Sequence, residues 1–194
     1  MIGYSALFGL STIPLSPIIC YNYAVVSKIM NFIWSPWRME YIQPNIQHEN
    51  CILCELTQQP DNAENLIMYR GQRVFIMLNR YTYTSGHLMV VPFEHKPSLD
   101  DLDRETSIEI MELTQKSIRL LRSVYQPQGF NVGVNIGEAA GAGIVGHIHL
   151  HVVPRWLGDT NFMSTLATTR VLPESLVETY RRLKEAWQRD IGAE

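Results

Sequence analysis

The chain has 194 residues, of which 46% are apolar and 18% are charged, and its formal net charge at pH 7 is -3. This length and composition are typical of one globular domain with a single sizeable core. A slightly acidic chain offers no basic surface that would bind nucleic acid by counterion release, although a small phosphorylated ligand needs only a local site.

The N-terminal segment differs from the rest of the chain, because its first 27 residues carry no charged side chain. A secretory signal needs a basic segment before its apolar run, whereas Lys28 follows it. A membrane span needs roughly 20 uninterrupted apolar residues, and Pro14 and Pro17 interrupt this run. We therefore predict no membrane segment, a poorly ordered extension or mis-set start over residues 1–29, and a domain over 30–194. A signal or membrane anchor is the alternative.

Short β-prone runs between Leu66 and Pro92 predict three strands, LIMYR, RVFIML and HLMVVP, separated by turn signals. Apolar residues at spacings of three, four and seven then predict a helix from about Leu102 to Tyr125. A strand (FNVGVNI), a glycine-rich loop (GEAAGAGIVG) and a strand with alternating histidines follow, and an amphipathic helix opens at Pro173. This order predicts an α+β domain, with a mostly antiparallel sheet and two packing helices.

Three of the six histidines occupy alternate positions in GHIHLHVVP, residues 146–154. In a strand, His147, His149 and His151 share one face, and the apolar residues between them point into the core. Packing alone would require a separate buried partner for each imidazole. Neighbouring same-face residues lie about 6.5 to 7 Å apart along a strand, so at most two of the three could share a metal ion.

Besides packing and metal binding, the three histidines could carry out nucleophilic catalysis on a phosphate. A neutral imidazole is available near pH 7 and can attack phosphorus to form a phospho-imidazole intermediate. The loop before the histidines has four glycines within ten residues, which lets backbone N–H groups approach an anion closely. A glycine loop that leads directly into alternating histidines favours a phosphate site.

With these residues the sequence resembles the histidine triad family, whose signature His-φ-His-φ-His-φ-φ, with φ apolar, is matched by HIHLHVV. Four segments in order resemble its bacterial branch related to diadenosine tetraphosphate phosphorylases and, more distantly, to fragile histidine triad hydrolases: SPWRMEYI, LNRYTYTSGHLMVVP, GFNVGVNIGEAAGAGI and HVVPRWLGDTNFM. The similarity covers roughly Trp34 to Ala186. It implies an α+β fold, usually a homodimer, and an enzyme that cleaves dinucleoside polyphosphates.

The resemblance also implies catalytic roles. His149, the middle histidine, matches the family's nucleophile, His151 would donate a hydrogen bond to the phosphate and stabilise the transition state, and His87 matches a histidine that supports the active site. Asn79 and Asn135 match positions that contact the nucleotide and its phosphates, with an ordinary turn asparagine as the alternative. The other residues predicted to bind the nucleotide are Gly141, Gly143, Thr160 and Asn161.

One departure from the family concerns the acceptor of the nucleotidyl group. Hydrolase and phosphoramidase relatives carry Gln-Ser or Gln-Thr before the triad, where this chain has Ala142, Gly143 and Ile144, so backbone N–H groups must replace side-chain contacts. The loop resembles the phosphorylase branch, which uses inorganic phosphate, so phosphorolysis to nucleoside di- and triphosphate is predicted. Hydrolysis by water, a nucleoside phosphoramidase activity and a non-catalytic, zinc-stabilised nucleotide-binding dimer are the alternatives.

Cys51 and Cys54 form a Cys-x-x-Cys pair, and Cys20 is the third cysteine. So few thiols do not make a secreted disulfide framework, and a reducing cytoplasm is expected. The pair alone is compatible with redox chemistry, metal binding or chance. Some relatives, including galactose-1-phosphate uridylyltransferases, bind zinc with such a pair and two histidines, which match His95 and His147. The resemblance therefore implies a structural Zn²⁺ held by Cys51, Cys54, His95 and His147, with two buried thiols beside a hydrogen-bonded histidine as the alternative.

Overall fold

A computed structural model of the chain describes residues 51–159 and 172–191. The predicted extension over residues 1–29, together with Thr160 and Asn161, lies outside the described residues. The helices and strands are α1 (Ile52–Leu56), β1 (Ile67–Arg70), β2 (Val74–Leu78), β3 (Leu88–Pro92), α2 (Arg104–Tyr125), β4 (Gly129–Val134), β5 (Leu150–Arg155) and α3 (Leu176–Ile191). Within the two described ranges, no helix has the length and hydropathy needed to cross a membrane.

The five strands form one sheet in the order β1-β2-β3-β5-β4. Every pair of neighbouring strands is antiparallel. Strand β5 lies between β3 and β4, so His151 is paired with Met89 on one side and with Gly133 on the other. This sheet and the helices α2 and α3 confirm the predicted α+β fold.

Both faces of the sheet are covered at β2 and β3, which explains why these strands are continuous apolar runs instead of alternating ones. On one face, α2 and α3 pack on alternate residues of the central strands, among them Ile76, Val90 and Val152. On the opposite face, Met89 and its neighbours pack with Leu53 of α1. Because residues paired directly across an antiparallel ladder project to the same side, His151 shares this second face with Met89. The fold thus places His151 on the face opposite the long helices.

Two details differ from the sequence prediction. The strand predicted for the whole histidine run begins only at Leu150, because the Ile148 N–H donates to the Lys96 carbonyl (2.7 Å) in the loop after β3 instead of to a neighbouring strand. The amphipathic pattern of the last helix predicts Val177 on the packed side with Tyr180 and Leu183, but Val177 is 63% exposed. The buried position is taken by Thr179, whose hydroxyl donates to the Glu174 carboxylate (2.8 Å).

Gly86 precedes His87 with a φ of +80°, a conformation that favours glycine. A Cβ added there would lie 2.9 Å from Leu121 Cδ2 and 3.2 Å from Tyr125 Cε2. We expect Gly86→Ala to lower the free energy of unfolding by about 2–5 kcal/mol, from about 1–2 kcal/mol of backbone strain and about 1–3 kcal/mol of overpacking. Urea denaturation measures the loss. Gly158→Ala is the matched control, because Gly158 has a φ of +83° and no atom within 4 Å; equal losses in both variants would contradict the packing argument.

Candidate active site and metal centre

Four metal-ligating side chains from distant parts of the chain converge beside α1: Cys51, Cys54, His95 and His147. Their ligand atoms all lie within 4.8 Å of one another. Both thiol sulfurs are 3.4 Å from His147 Nδ1, and Cys54 Sγ is 3.3 Å from His95 Nδ1. In a tetrahedral zinc site with bonds of about 2.3 Å to sulfur and about 2.1 Å to nitrogen, neighbouring donors lie about 3.4 to 3.8 Å apart. The three separations between a thiol and a histidine Nδ1 are therefore close to those of a tetrahedral zinc site.

The orientation of the buried His147 ring is set by the backbone. Its Nε2 donates to the Pro92 carbonyl at 2.9 Å. A carbonyl only accepts, so the neutral ring carries its proton on Nε2, and the Nδ1 lone pair faces the two thiols. Burial lowers the pKa of His147, which favours the neutral, metal-binding form. Burial raises the pKa of the Cys54 thiol to about 11, so an incoming cation must displace a proton there.

Two features hold the donors in place, and neither was predicted from the sequence. A five-residue helix such as α1 is marginal by itself, and Arg70 binds the carbonyls at its C-terminal end: Leu56 (3.2 Å), Thr57 (2.8 Å) and Gln59 (2.6 Å). Gly146 makes room for the His95 ring, since an added Cβ would lie 3.1 Å from its Nε2. The helix α1 is too short to show a periodicity, and in the sequence Gly146 is only one of four glycines in a loop.

His149 is nearly buried, with 7% of its surface exposed. Its Nδ1 donates to the His147 carbonyl at 2.9 Å. The proton of the neutral ring is therefore held on Nδ1, and the Nε2 lone pair is left for chemistry. Burial lowers the pKa of His149, so the ring is neutral and nucleophilic at pH 7.

His87 and His151 form a hydrogen-bonded imidazole pair next to this ring. His87 Nε2 lies 3.0 Å from His151 Nδ1, and the ring centroids of His149 and His151 are 4.9 Å apart. The Tyr83 N–H donates to His87 Nδ1 at 3.2 Å, so neutral His87 donates from Nε2 and leaves His151 with an N–H at Nε2. Burial, and then repulsion from the neighbouring imidazoles, lowers the pKa of His87 to about 3 and that of His151 to about 4.

Four of the residues predicted to bind the nucleotide are described by the structure, and they differ in what their polar groups contact. The Asn79 amide faces His87 and the Tyr81 N–H, and Asn135 is half-buried just after β4. Gly141 is the left-handed last residue of a 3-10 turn, and its N–H donates to the Glu138 carbonyl (2.9 Å). Within the described ranges the Gly143 N–H forms no hydrogen bond. The exposed Gly143 amide is therefore available to an anion, whereas the Gly141 amide is already engaged.

Tyr83 is a further site residue that was not predicted. Besides its backbone bond to His87, its exposed ring stacks on the His87 ring with centroids 4.8 Å apart. The next residue, Thr84, donates its hydroxyl to the Pro154 carbonyl (3.0 Å) and ties this loop to β5. The sequence NRYTYTSG indicated only a turn, because a backbone N–H that binds a histidine leaves no side-chain signature.

Comparisons by family model, by sequence and by structure all find histidine triad proteins. A family model described as HIT domain matches residues 60–156. The chain is 40% identical over 164 residues to an AP-4-A phosphorylase of Mycobacterium tuberculosis, covering 81% of this chain and 84% of that protein. The structure of a Zn-bound histidine triad family protein from Mycobacterium smegmatis matches with a TM-score of 0.60 and 28% identity, over 75% of this chain and 99% of that one. A Plasmodium falciparum diadenosine triphosphate hydrolase, with a TM-score of 0.53 and 19% identity over 64% and 77% of the two chains, is alike in fold alone.

The imidazole pair should make stability depend on pH. The pKa of an ordinary histidine is near 6.5. Between pH 6.5 and about 4, His87 and His151 are therefore protonated in the unfolded chain but neutral in the folded one. The free energy of unfolding therefore has its full value above pH 6.5. As the pH is lowered from 6.5, it decreases by up to about 1.4 kcal/mol per pH unit for each histidine.

Urea denaturation between pH 7 and 4.5 measures this slope, and His87→Gln should reduce it by up to about 1.4 kcal/mol per pH unit. An unchanged slope in that variant would contradict the assigned pKa of His87.

Proposed function

Because this chain belongs to the HIT domain family, we propose that it is an enzyme that cleaves dinucleoside polyphosphates, such as diadenosine tetraphosphate, by nucleotidyl transfer through His149. The observation that carries the proposal is the orientation of His149: its Nδ1–H is bound to a backbone carbonyl, which leaves the lone pair on Nε2, and its ring lies beside that of His151, with centroids 4.9 Å apart. The AP-4-A phosphorylase relative supports this substrate class.

In the first step, His149 Nε2 attacks the α-phosphorus of the substrate. A P–N bond forms while the P–O bond to the bridging oxygen breaks, and the other nucleoside polyphosphate leaves with the electron pair on that oxygen. His151 donates from Nε2 to the phosphate oxygens and stabilises the charge that develops in the transition state. His87 supports His151, because its Nε2–H donates to His151 Nδ1 and so leaves the proton of the His151 ring on Nε2.

In the second step, an acceptor oxygen attacks the phosphorus, and the P–N bond breaks. Inorganic phosphate yields a nucleoside diphosphate, whereas water yields a nucleoside monophosphate. We favour phosphate because the loop between Gly141 and Gly146 has no Gln-Ser side chains and leaves the Gly143 N–H for an anion. A homodimer, a catalytic domain over 30–194 and a cytoplasmic setting, consistent with free Cys51 and Cys54, complete the proposal.

The metal centre is proposed to hold a structural Zn²⁺ on Cys51, Cys54, His95 and His147. The 3.3–3.4 Å separations of the donors and the fixed orientation of His147 support it, as does the zinc in the Mycobacterium smegmatis relative. Bound there, the ion would supply a cross-link between α1, the loop after β3 and the segment before β5.

Incubation with radiolabelled diadenosine tetraphosphate tests the reaction. With phosphate present we expect nucleoside diphosphate plus triphosphate, and without phosphate little turnover. His149→Ala removes the nucleophile and should lower kcat by at least about a thousandfold.

Each other product pattern would point to one alternative. Monophosphate plus triphosphate without phosphate would identify a hydrolase, and turnover of a nucleoside phosphoramidate alone would identify a phosphoramidase. Binding of the nucleotide without turnover would identify a non-catalytic dimer, and undiminished turnover in His149→Ala would exclude the mechanism.

Metal analysis of the purified protein tests the second proposal. We expect about one zinc per chain in the wild type and loss of that zinc in Cys54→Ser, because three donors no longer complete a closed tetrahedron. Cys20→Ser is the matched control for thiol removal and should retain the metal. A wild type without zinc, or equal zinc in both variants, would refute the assignment.

A further inference from the structure

Asn79 is buried at the end of β2, with 9% of its surface exposed, and its amide can be oriented without ambiguity. Its Oδ1 lies 2.9 Å from the Tyr81 N–H. A backbone N–H only donates, so the oxygen of the amide must face Tyr81 and the NH₂ group must face the opposite side. On that side Nδ2 lies 3.4 Å from His87 Nδ1.

His87 Nδ1 therefore meets two donors, the Asn79 amide at 3.4 Å and the Tyr83 N–H at 3.2 Å. An imidazole nitrogen that faces two N–H donors must offer a lone pair, because a proton there would be repelled by both. The proton of the neutral His87 ring is thereby confined to Nε2, which lies 3.0 Å from His151 Nδ1. Because His87 is fully buried, a proton on Nδ1 would find no water molecule to accept a hydrogen bond from it.

We propose that Asn79 is a positioning residue that, together with the Tyr83 N–H, sets the direction of the His87–His151 hydrogen bond. With Asn79 in place, His151 presents an N–H at Nε2. In the opposite arrangement His87 Nε2 would accept from His151, and His151 would turn a lone pair towards the phosphate oxygens, which repel it. This role differs from the nucleotide contact that the family resemblance implies for Asn79.

Long-range ¹H–¹⁵N correlation spectra of the full-length protein at pH 7 read the proton positions directly and need no substrate. In the wild type we expect His87 to be protonated on Nε2 only and His151 Nδ1 to be unprotonated. A proton on His87 Nδ1 in the wild type would overturn the inference, whatever any variant does.

Asn79→Asp replaces the donor by an acceptor of the same shape. We expect a proton to appear on His87 Nδ1, because two acceptors facing each other at 3.4 Å repel unless one is protonated. Asn65→Asp makes the same chemical change at an amide that donates to the Pro60 carbonyl, and it should leave the His87 spectrum unchanged. An unchanged His87 spectrum in folded Asn79→Asp would refute the role of Asn79.

Asn79→Ala supplies a kinetic test, which rests on the proposed function. Since the Tyr83 N–H remains, we expect kcat to fall by roughly tenfold, less than for outright loss of a transition-state donor, with KM within about twofold. A raised KM with unchanged kcat would instead identify a nucleotide contact and overturn the inference. If the wild type does not cleave diadenosine tetraphosphate, the proposed function fails, while the spectra still decide the role of Asn79.

Discussion

Every polar group of the His147 side chain is committed within the fold, and the two halves of the site are joined through this residue. Its Nε2 donates to the Pro92 carbonyl at the end of β3, and its Nδ1 faces both thiols beside α1. Its own carbonyl accepts from His149 Nδ1. Because His147 is fully buried, each of these groups would be costly to leave unpaired. The position of His149, the proposed nucleophile, is thus fixed by the same residue that completes the four candidate metal donors.

The backbone also decides which nitrogen of each imidazole carries the proton. Peptide carbonyls hold the protons of His147 and His149 on the nitrogens that face them. For His87 the backbone partner is an N–H, so the proton is displaced to the far side of the ring. A carbonyl always accepts and an amide N–H always donates. Histidines at neighbouring positions therefore differ in whether the ring nitrogen that faces the backbone carries a proton or a lone pair. Since burial lowers the pKa of these rings, the directions persist at neutral pH.

The sequence was most informative where a residue's role follows from its own side chain. The apolar runs predicted the central strands, and the Cys-x-x-Cys pair together with the family resemblance named the donors that the fold brings together. It was least informative where the partner is a backbone group, as with Pro92, Tyr83 and the turn that engages the Gly141 amide. Backbone groups are present at every position, so their use leaves no pattern in the residue types.

Under the proposed function, the closed set of four metal donors would leave the chemistry on phosphate to the other histidines. Four protein ligands complete a tetrahedron, and an ion held by all of them offers no open position for a substrate oxygen or a water. Under the proposed function, charge on the phosphate would then be met by N–H groups, such as His151 Nε2 and the exposed amide of Gly143. The contacts show the same division, since His147 Nδ1 faces the two thiols, whereas the His151 ring pairs with His87. A metal at His147 would be joined to His149, the proposed nucleophile, through the His147 carbonyl that accepts from His149 Nδ1, so it would help to hold the His149 ring in position.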